Sequence, residues 1–590
     1  LILALLLAAC NPAPTGAADG TVLNVHTIQG PGATSPLEGR NVTVRGIVTG
    51  DFQDYGDEGS GRLGGFFIAS LEPDADPASS EGLFVFEKAA RPGNVAAGDI
   101  VEVSGVVAEF FGETQLLASS IRVTGSDAVT PSEIEFPVRD FERYEGMLLR
   151  IPEPMLIAGN HNLERFGSLA VAAGERHYHY TNRFRPDRQG FRRAVAARAE
   201  TSLILDDGYR SENRRPVRYL DLAAPPRAGN VVVGLTGNLR WSRGSGGKGE
   251  SAYRLVPTAD VIAHERNPRE LPRARKGNLR VVSFNVLNLF EGLDNGSPRC
   301  GPRSDANCRG ANSTLEQERQ LAKIGASLDA LDADIVAIAE IENDARDSLE
   351  LLVAALAEAG MDYAYVDAGI IGGDTIKVGL LYRQERVRPV GRHRILDQRA
   401  DGRFDSRRNR PALAQRFELN ANNAQLTVVA NHLKSKGSDC DEANDPDRGD
   451  GQANCNLTRT RAAAALAEFV LQDRGGGKAL VLGDFNAYLL EDPIRVLEDA
   501  GLVNLLAREA GTDAYTYVFR GQAGALDHAF ATPALAADVR QSFAWHSNAD
   551  EPPLLDYNMD RDRDPATFDR TTPWRASDHD PVVVDVELSP

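Results

Sequence analysis

At Leu279 the pattern of this 590-residue chain changes. Before it, short alternating apolar runs are separated by turn residues. After it, strands of the buried type alternate with helix-periodic segments. Leu279–Asn285 is an apolar strand, residues 316–333 repeat with helical period, and Asp334–Ala339 is a strand again. Further strands fall at 377–382, 426–430 and 479–482, with a helix at about 457–472 between the last two. Strand–helix alternation over residues 279–590 predicts a layered α/β domain, long enough to bury its own core.

The residues upstream obey a different rule. Val42–Gly50, Gly65–Ile68, Gly82–Phe86 and Asp99–Val107 are short strands with turn signals between them. Their spacing predicts an OB-like β-barrel over residues 21–135, with a small β-sandwich as the alternative. Gly98–Gly105 follows the pattern Gly-Asp-x-Val-x-Val-x-Gly, a familiar strand sequence of such barrels. Residues 136–265 stay β-rich and predict a second module. Residues 266–278, with Pro268 and Pro272, read as a linker. Arginines are dense from Arg183 to Arg198. Such a run can follow a phosphate backbone, but it reads here as a solvated face.

Residues 1–10 run Leu-Ile-Leu-Ala-Leu-Leu-Leu-Ala-Ala-Cys. The apolar stretch is too short to span a bilayer and matches the apolar region of a signal peptide. The small residues before Cys10 resemble a bacterial lipobox, so the expectation is an exported chain lipidated at Cys10, with residues 11–20 as a flexible tether. A plain secretory signal is the alternative. Export makes disulfides permissible. Cys300, Cys308, Cys440 and Cys455 form two local pairs, and 300–308 with 440–455 is the simplest of the connectivities. A zinc site is the alternative, although no Cys-x-x-Cys or neighbouring histidine accompanies either pair. The net charge of −19 excludes a protein that wraps nucleic acid by bulk charge. It leaves room for phosphate chemistry at a bound metal.

Six strand ends in the second half carry residues suited to that chemistry. Asn285 ends the first strand, Glu340 follows Asp334–Ala339, and Asn431-His432 follows Leu426–Ala430. Gly483-Asp484-Phe485-Asn486 follows 479–482. Asp527-His528 lies in a short apolar segment, and Ser577-Asp578-His579-Asp580-Pro581 precedes Val582–Val586. A rigid scaffold with polar residues at its strand ends is how many sites are built. A histidine there moves protons near neutral pH, and carboxylates hold hard cations.

The series Ser283–Asn285, Ala339–Asn343, Asn431–Lys436, Gly483–Asn486, Leu526–His528 and Ser577–Pro581 resembles the endonuclease/exonuclease/phosphatase superfamily, the deoxyribonuclease I-like fold. It is most similar to bacterial extracellular nucleases of the ExeM/NucH type, a likeness that extends to Val48–Phe52, Gly65–Ile68, Ser80–Phe86 and Phe141–Ile151. The resemblance implies a four-layer α/β sandwich and a set of roles. Asn285, Glu340 and Asp578 would hold a divalent metal, Mg²⁺ first, with Mn²⁺ or Ca²⁺ as alternatives. His579 and Asp527 would pair as imidazole and carboxylate. His432 would contact the scissile phosphate. Asp484 would orient or deprotonate water, and Asn486 would donate to the developing charge. Lys434 and Lys436 would touch substrate phosphate. A residue of the segment Asp374–Tyr382 would orient His432. Glu342 is expected to be an exposed neighbour, Asp580 a turn residue, and His528 and His546 structural.

The function so implied is an exported, metal-dependent endonuclease acting on DNA or RNA. It would be anchored through the lipid at Cys10 in the outer membrane or released outside the cell, with no obligate protein partner. The alternatives are a phosphoesterase of the same fold acting on a phospholipid such as sphingomyelin, and a non-catalytic DNA-binding protein of the envelope.

Overall fold

The computed structural model describes residues 21–590 apart from 54–60, 75, 88–92, 220, 222–224 and 473–476. Cys10 and its tether lie outside the described residues. The chain divides into two compact units. One contains the residues up to Glu153 with Leu203–Arg214 and Val233–Val261. The other contains Pro154–Ser202, Arg215–Val232 and Ile262–Pro590.

In the first unit, Asn41–Phe52 pairs with Gly65–Ala69, which pairs with Gly82–Glu87. Gly82–Glu87 lies parallel to Glu113–Ser126, and Asp99–Phe110 lies between that strand and Asn41–Phe52. The last pairing closes the sheet into a barrel, which removes the free edges. Alternate residues fill it: Val44 and Val48, Phe66 and Ile68, Leu83 and Val85, Val101 and Val103. In the same unit Leu148–Ile151, Leu235–Ser242 and Ala252–Pro257 are antiparallel neighbours in a second sheet.

The second unit is built on two six-stranded mixed sheets. The first runs in the order Tyr363–Tyr365, Ile376–Arg383, Ile335–Glu342, Leu279–Leu289, Val582–Val586, Val539–Ala544. The second runs Val387–Leu396, Arg410–Leu419, Gln425–His432, Ala479–Asp484, Asp527–Ala531, Val503–Asn504. The period-2 alternation of the sequence sorts each strand into two faces. Val281, Ile335, Ala337, Val378, Val582 and Val584 meet Leu413, Val428, Leu480, Leu482 and Ala529 in one core between the sheets. Val282, Phe284, Val336, Ile338 and Val583 face the helices Thr314–Leu331 and Asp347–Glu358. Val429, Val481 and Phe530 face the helix Asn456–Leu471. The result is the helix–sheet–sheet–helix sandwich. Thr314–Leu331 starts where Ser313 accepts a hydrogen bond from the Glu316 N–H, and it ends at Asp332 in the left-handed region. Disulfides join Cys300 to Cys308 and Cys440 to Cys455. No helix among the described residues is long and apolar enough to cross a membrane.

Candidate active site

Each sheet has one parallel pair at its centre. Leu279–Leu289 lies beside Ile335–Glu342, with Asn285 opposite Ala339. Gln425–His432 lies beside Ala479–Asp484, with His432 opposite Asp484. Parallel strands joined by a helical crossover end at the same edge. An antiparallel neighbour begins at that edge in both sheets: Asp527 pairs with Asp484, and Val582 pairs with Ser283, which leaves Asp578 and His579 just outside the strand. The alternation sets the direction as well. Asn285 continues the inward series of Val281, His432 that of Val428 and Ala430, Asp484 that of Leu480 and Leu482, and Asp527 that of Ala529. The apolar core between the sheets thus runs out, at one edge, into polar side chains.

Three backbone features shape this edge. Glu340 has φ 69° and sits at a register shift between Ala339 and Ile341, so it bulges out of its ladder. Asn486 has φ 48°, and its N–H donates to Asp484 Oδ1 at 2.7 Å. Gly483 has φ 142°, and a Cβ there would lie 1.9 Å from the Asn431 carbonyl oxygen. Only glycine lets the strand carrying Asp484 approach so closely.

The chemistry centres on two imidazoles. His579 Nδ1 donates to Asp527 Oδ2 at 2.7 Å, and the same oxygen accepts from Thr516 Oγ1 at 2.8 Å. Burial opposes charge on His579, but Asp527 foremost, then Asp578 and Asp484, hold it well above its ordinary value, as an imidazolium. His432 goes the other way. Burial, then Arg410 and His579, push it well below its ordinary value, so it is neutral. Arg410 Nη1 lies 3.3 Å from His432 Nε2, and His432 Nδ1, a buried atom, has no hydrogen-bond partner among the described residues. Asp484 Oδ2 lies 3.4 Å from the same Nε2. Burial first, then Asp527 and Glu340, push the Asp484 carboxyl up to about 7, against the opposing pull of His579. A carboxyl near 7 beside an imidazolium is the arrangement that general base and general acid need at neutral pH.

Carboxylates outnumber cations here, which is the condition for a bound metal. Glu340 and Asp578 are only half-buried. Burial and the Asp578 charge raise Glu340, and Asn285 and His579 relieve it in part. The buried Asn285 amide nitrogen makes no hydrogen bond of full geometry, while its oxygen accepts from Leu287 N at 3.0 Å. This all-oxygen group fits a hard divalent cation. Asp484, Asp527 and His579 also place one ligand atom each within 4.8 Å of one another. The His579 imidazolium already provides that cluster with its positive charge, so the Glu340 corner is the better cation site.

A model of the endonuclease/exonuclease/phosphatase family matches residues 282–579. The chain belongs to this family. Members of the endonuclease/exonuclease/phosphatase family are hydrolases of phosphate esters and are typically dependent on divalent metal. Among solved structures, the family member from Bacteroides vulgatus is 15% identical, covering 53% of this chain and 100% of its own, with a TM-score of 0.34. The human Nocturnin catalytic domain with bound sulfate is 15% identical, covering 54% and 97%, at 0.33. The mannosyl-6-phosphatase of Bacteroides thetaiotaomicron is 16% identical, covering 52% and 99%, at 0.34. Among curated proteins, none matches the chain.

Within this family framework, Asn285, Glu340, His432, Asp484, Asn486, Asp527, Asp578 and His579 all sit at the shared edge. Asn486 directs its amide nitrogen to Asp484 Oδ2 at 3.0 Å and to the Leu433 carbonyl at 3.2 Å, so it fixes Asp484 in place. Lys434 is half-buried beside Arg410. Lys436 is held elsewhere: its ammonium lies 2.6 Å and 2.7 Å from the two oxygens of the buried Glu491. Glu342, expected on the surface, is buried and accepts from the Glu291 and Gly301 N–H groups. The bulge at Glu340 breaks the alternation and turns it inward. Asp580, expected in a turn, is also buried. It accepts from the Asn548 and Ala549 N–H groups and pairs with His546 at 2.8 Å. His528 Nε2 lies 2.8 Å from the Ala487 carbonyl, a structural contact.

Three contributors carry no signal in the strand-end pattern. Arg410 stands between His432 and Asp374, whose Oδ2 is 3.0 Å from Arg410 Nε; the segment 374–382 thus acts on His432 through an arginine. Thr516 orients Asp527. Asn182, fully buried, donates to the Thr512 and Ala514 carbonyls at 2.9 Å and 3.0 Å and accepts from Ala525 N at 2.9 Å. It thereby clamps the hairpin from which Thr516 reaches Asp527.

Proposed function

We propose that the chain is an exported, metal-dependent nuclease that hydrolyses phosphodiester bonds of DNA, internally, with RNA as a second substrate. The observation that carries this reading is the His579–Asp527 pair beside Asp484: an acid held charged and a carboxyl poised near neutral, at one edge of the sandwich. In the proposed reaction Asp484 takes a proton from the attacking water. A P–O bond forms to that water, and the P–O bond to the leaving ester oxygen breaks. His579 Nε2 gives its proton to the leaving oxygen, while Asp527 and Thr516 keep the ring aimed. Neutral His432, beside Asp484, contacts a phosphate oxygen, and Lys434 adds positive charge. Glu340, Asp578 and Asn285 would hold a divalent cation, Mg²⁺ by their oxygen donors, which would supply Lewis-acid stabilisation of the phosphate.

Nucleic acid is favoured by the five-stranded closed barrel of the first unit, whose strand order is that of an OB-like fold, a common binder of single strands. Export is favoured by the two disulfides, and anchoring at Cys10 by the lipobox-like residues before it. The test is plasmid DNA with Mg²⁺ or chelator, beside His579→Ala. Metal-dependent nicking that the variant loses is expected. Intact DNA with a cleaved phospholipid, or binding without turnover, refutes the reading.

A further inference from the structure

In a chain of net charge −19, residues 184–201 contain five arginines and, besides Glu200 at the far end, one carboxylate, Asp187. That carboxylate is occupied: it caps the helix Arg188–Thr201 through the Gly190 N–H. Arg185, Arg188, Arg192 and Arg193 are exposed and make no ion pair among the described residues. Elsewhere in the same unit arginines are matched, as in Arg176 with Asp550, Arg183 with Asp513 and Arg280 with Asp585. Arg188 and Arg192 stand one turn apart on the outward side, a like-charge spacing that weakens a helix by about 0.2–0.5 kcal/mol per pair. Gly190 is the only residue of this helix that is buried, so core packing does not account for the charges. The acidic loop 439–451 meets the helix at Gly451, against Phe191, and none of its carboxylates pairs with these arginines.

The helix also points at the chemistry. Near its C-terminal end, Arg198 Nη1 lies 3.5 Å from the Arg520 carbonyl, at the tip of the hairpin made by Tyr517–Phe519 and Gln522–Gly524. Two guanidinium groups meet there, and burial first, then the Arg520 charge, lowers Arg198 from its ordinary value. Beside them Phe519 is exposed, with the Arg520 guanidinium 5.5 Å from its ring centre. At the base of the hairpin the Tyr517 ring lies 4.5 Å from that of His579. A path of unmatched positive charge with an exposed aromatic ring thus leads from His579 outward to the helix.

We propose that this arginine helix and the Phe519–Arg520 hairpin tip form a track for the nucleic-acid backbone beyond the scissile phosphate. The proposal rests on the nuclease reading above. A polyanion is the partner that relieves all the repulsions at once, and its successive phosphates match a row of guanidinium groups, which bind phosphate in a fork. The face taken from sequence as merely solvated is, on this view, the longer part of the substrate site.

The test is one variant, Arg185→Ala with Arg188→Ala, Arg192→Ala and Arg193→Ala, measured three ways against the unmodified full chain. The first measurement is cleavage of plasmid DNA across a salt series. The second is hydrolysis of bis(4-nitrophenyl) phosphate, which has no backbone to extend. The third is fluorescence anisotropy of a labelled duplex in chelator, where nothing is cut. Each lost phosphate contact lowers the slope of log affinity against log salt by about 0.9. The variant is expected to bind and cleave DNA at least tenfold less well at moderate salt, with a slope smaller by about 2 to 4. The small diester should be hydrolysed at an unchanged rate. An unchanged salt slope, or an equal loss on both substrates, overturns the track. If the unmodified chain hydrolyses the diester but not DNA, the nuclease reading falls. The track then stands only if duplex binding remains and the variant still weakens it.

Discussion

Asp527→Asn is the substitution that separates a charge role from a shape role in the candidate site. Asp527 is 2% exposed and accepts from both His579 Nδ1 and Thr516 Oγ1. The amide keeps the volume and one acceptor, so the Thr516 contact survives. The charge is lost, and a hydrogen bond to a charged partner is worth about 1.5–3 kcal/mol. The larger consequence is for His579. Its value is held well above 6.5 in the folded state against burial, chiefly by Asp527. The sign follows: the pair stabilises the fold fully below about pH 6.5 and loses that contribution only as the pH rises through the raised value. Without Asp527 the ring keeps only the Asp578 and Asp484 charges against burial, so its value falls. Asp484, meanwhile, must be ionised to act as base, and it is pushed up to about 7. In the native protein the base ionises before the acid is lost, which leaves an active window on the alkaline side of 7. In the variant the His579 limb falls, and the Asp484 limb, relieved of the Asp527 charge, moves to lower pH with it, so the window shifts to acid pH and the acid is lost at pH 7 and above. The kcat for plasmid nicking should fall by roughly 10²- to 10⁴-fold, or about 3–5 kcal/mol in the barrier. Rates measured from pH 5 to 10, with circular dichroism to confirm folding, decide the matter. A variant that keeps a tenth of the native kcat at pH 7.5, or a bell of unchanged position, would refute the reasoning.

Glu340→Gln removes one carboxylate from the proposed cation site while keeping its shape; the upward shift in melting temperature on adding Mg²⁺ should vanish, and an undiminished shift would move the cation elsewhere. Gly483→Ala drives a methyl group into the Asn431 carbonyl and should cost about 3 kcal/mol or more by chemical denaturation; near-native stability would mean that the two strands can part without penalty. Asn182→Ala should lower kcat about tenfold with KM for plasmid DNA kept, because it loosens the Thr516 hairpin and leaves substrate contacts alone. An equal fall in folded fraction and rate, with no change in kcat per folded molecule, would make Asn182 purely structural.

The sandwich and the polar edge that carries the candidate site were legible because both follow from the pattern of apolar strands and their polar ends. An apolar residue at every second position declares a strand face, and a polar residue that ends such a series can only sit where the core runs out. Asn285, His432, Asp484 and Asp527 were read as polar residues at the ends of apolar strands, and the register places them together. The same reasoning misjudged Glu342, because alternation predicts nothing once a residue bulges, and Glu340 bulges next to it. It misjudged Asp580 because a turn residue is exposed only if nothing packs over it, and the Asn548 and Ala549 amides do.

What remained hidden has a common physical character. Asn182 is bonded to backbone carbonyls 330 and 332 residues away, and Arg227 reaches the His546 carbonyl and the Glu551 carboxylate. A carbonyl is present at every residue, so a side chain that binds one leaves no complementary residue type to find. Carboxylate–imidazole and carboxylate–metal chemistry, by contrast, demands particular side chains and so is written in the chain. The catalytic groups of such a site are therefore easier to read than the residues that hold them still. Residues 177–182 illustrate the difference: they lie outside the family match at 282–579, yet they belong to the same compact unit and clamp the hairpin that aims Asp527 at His579.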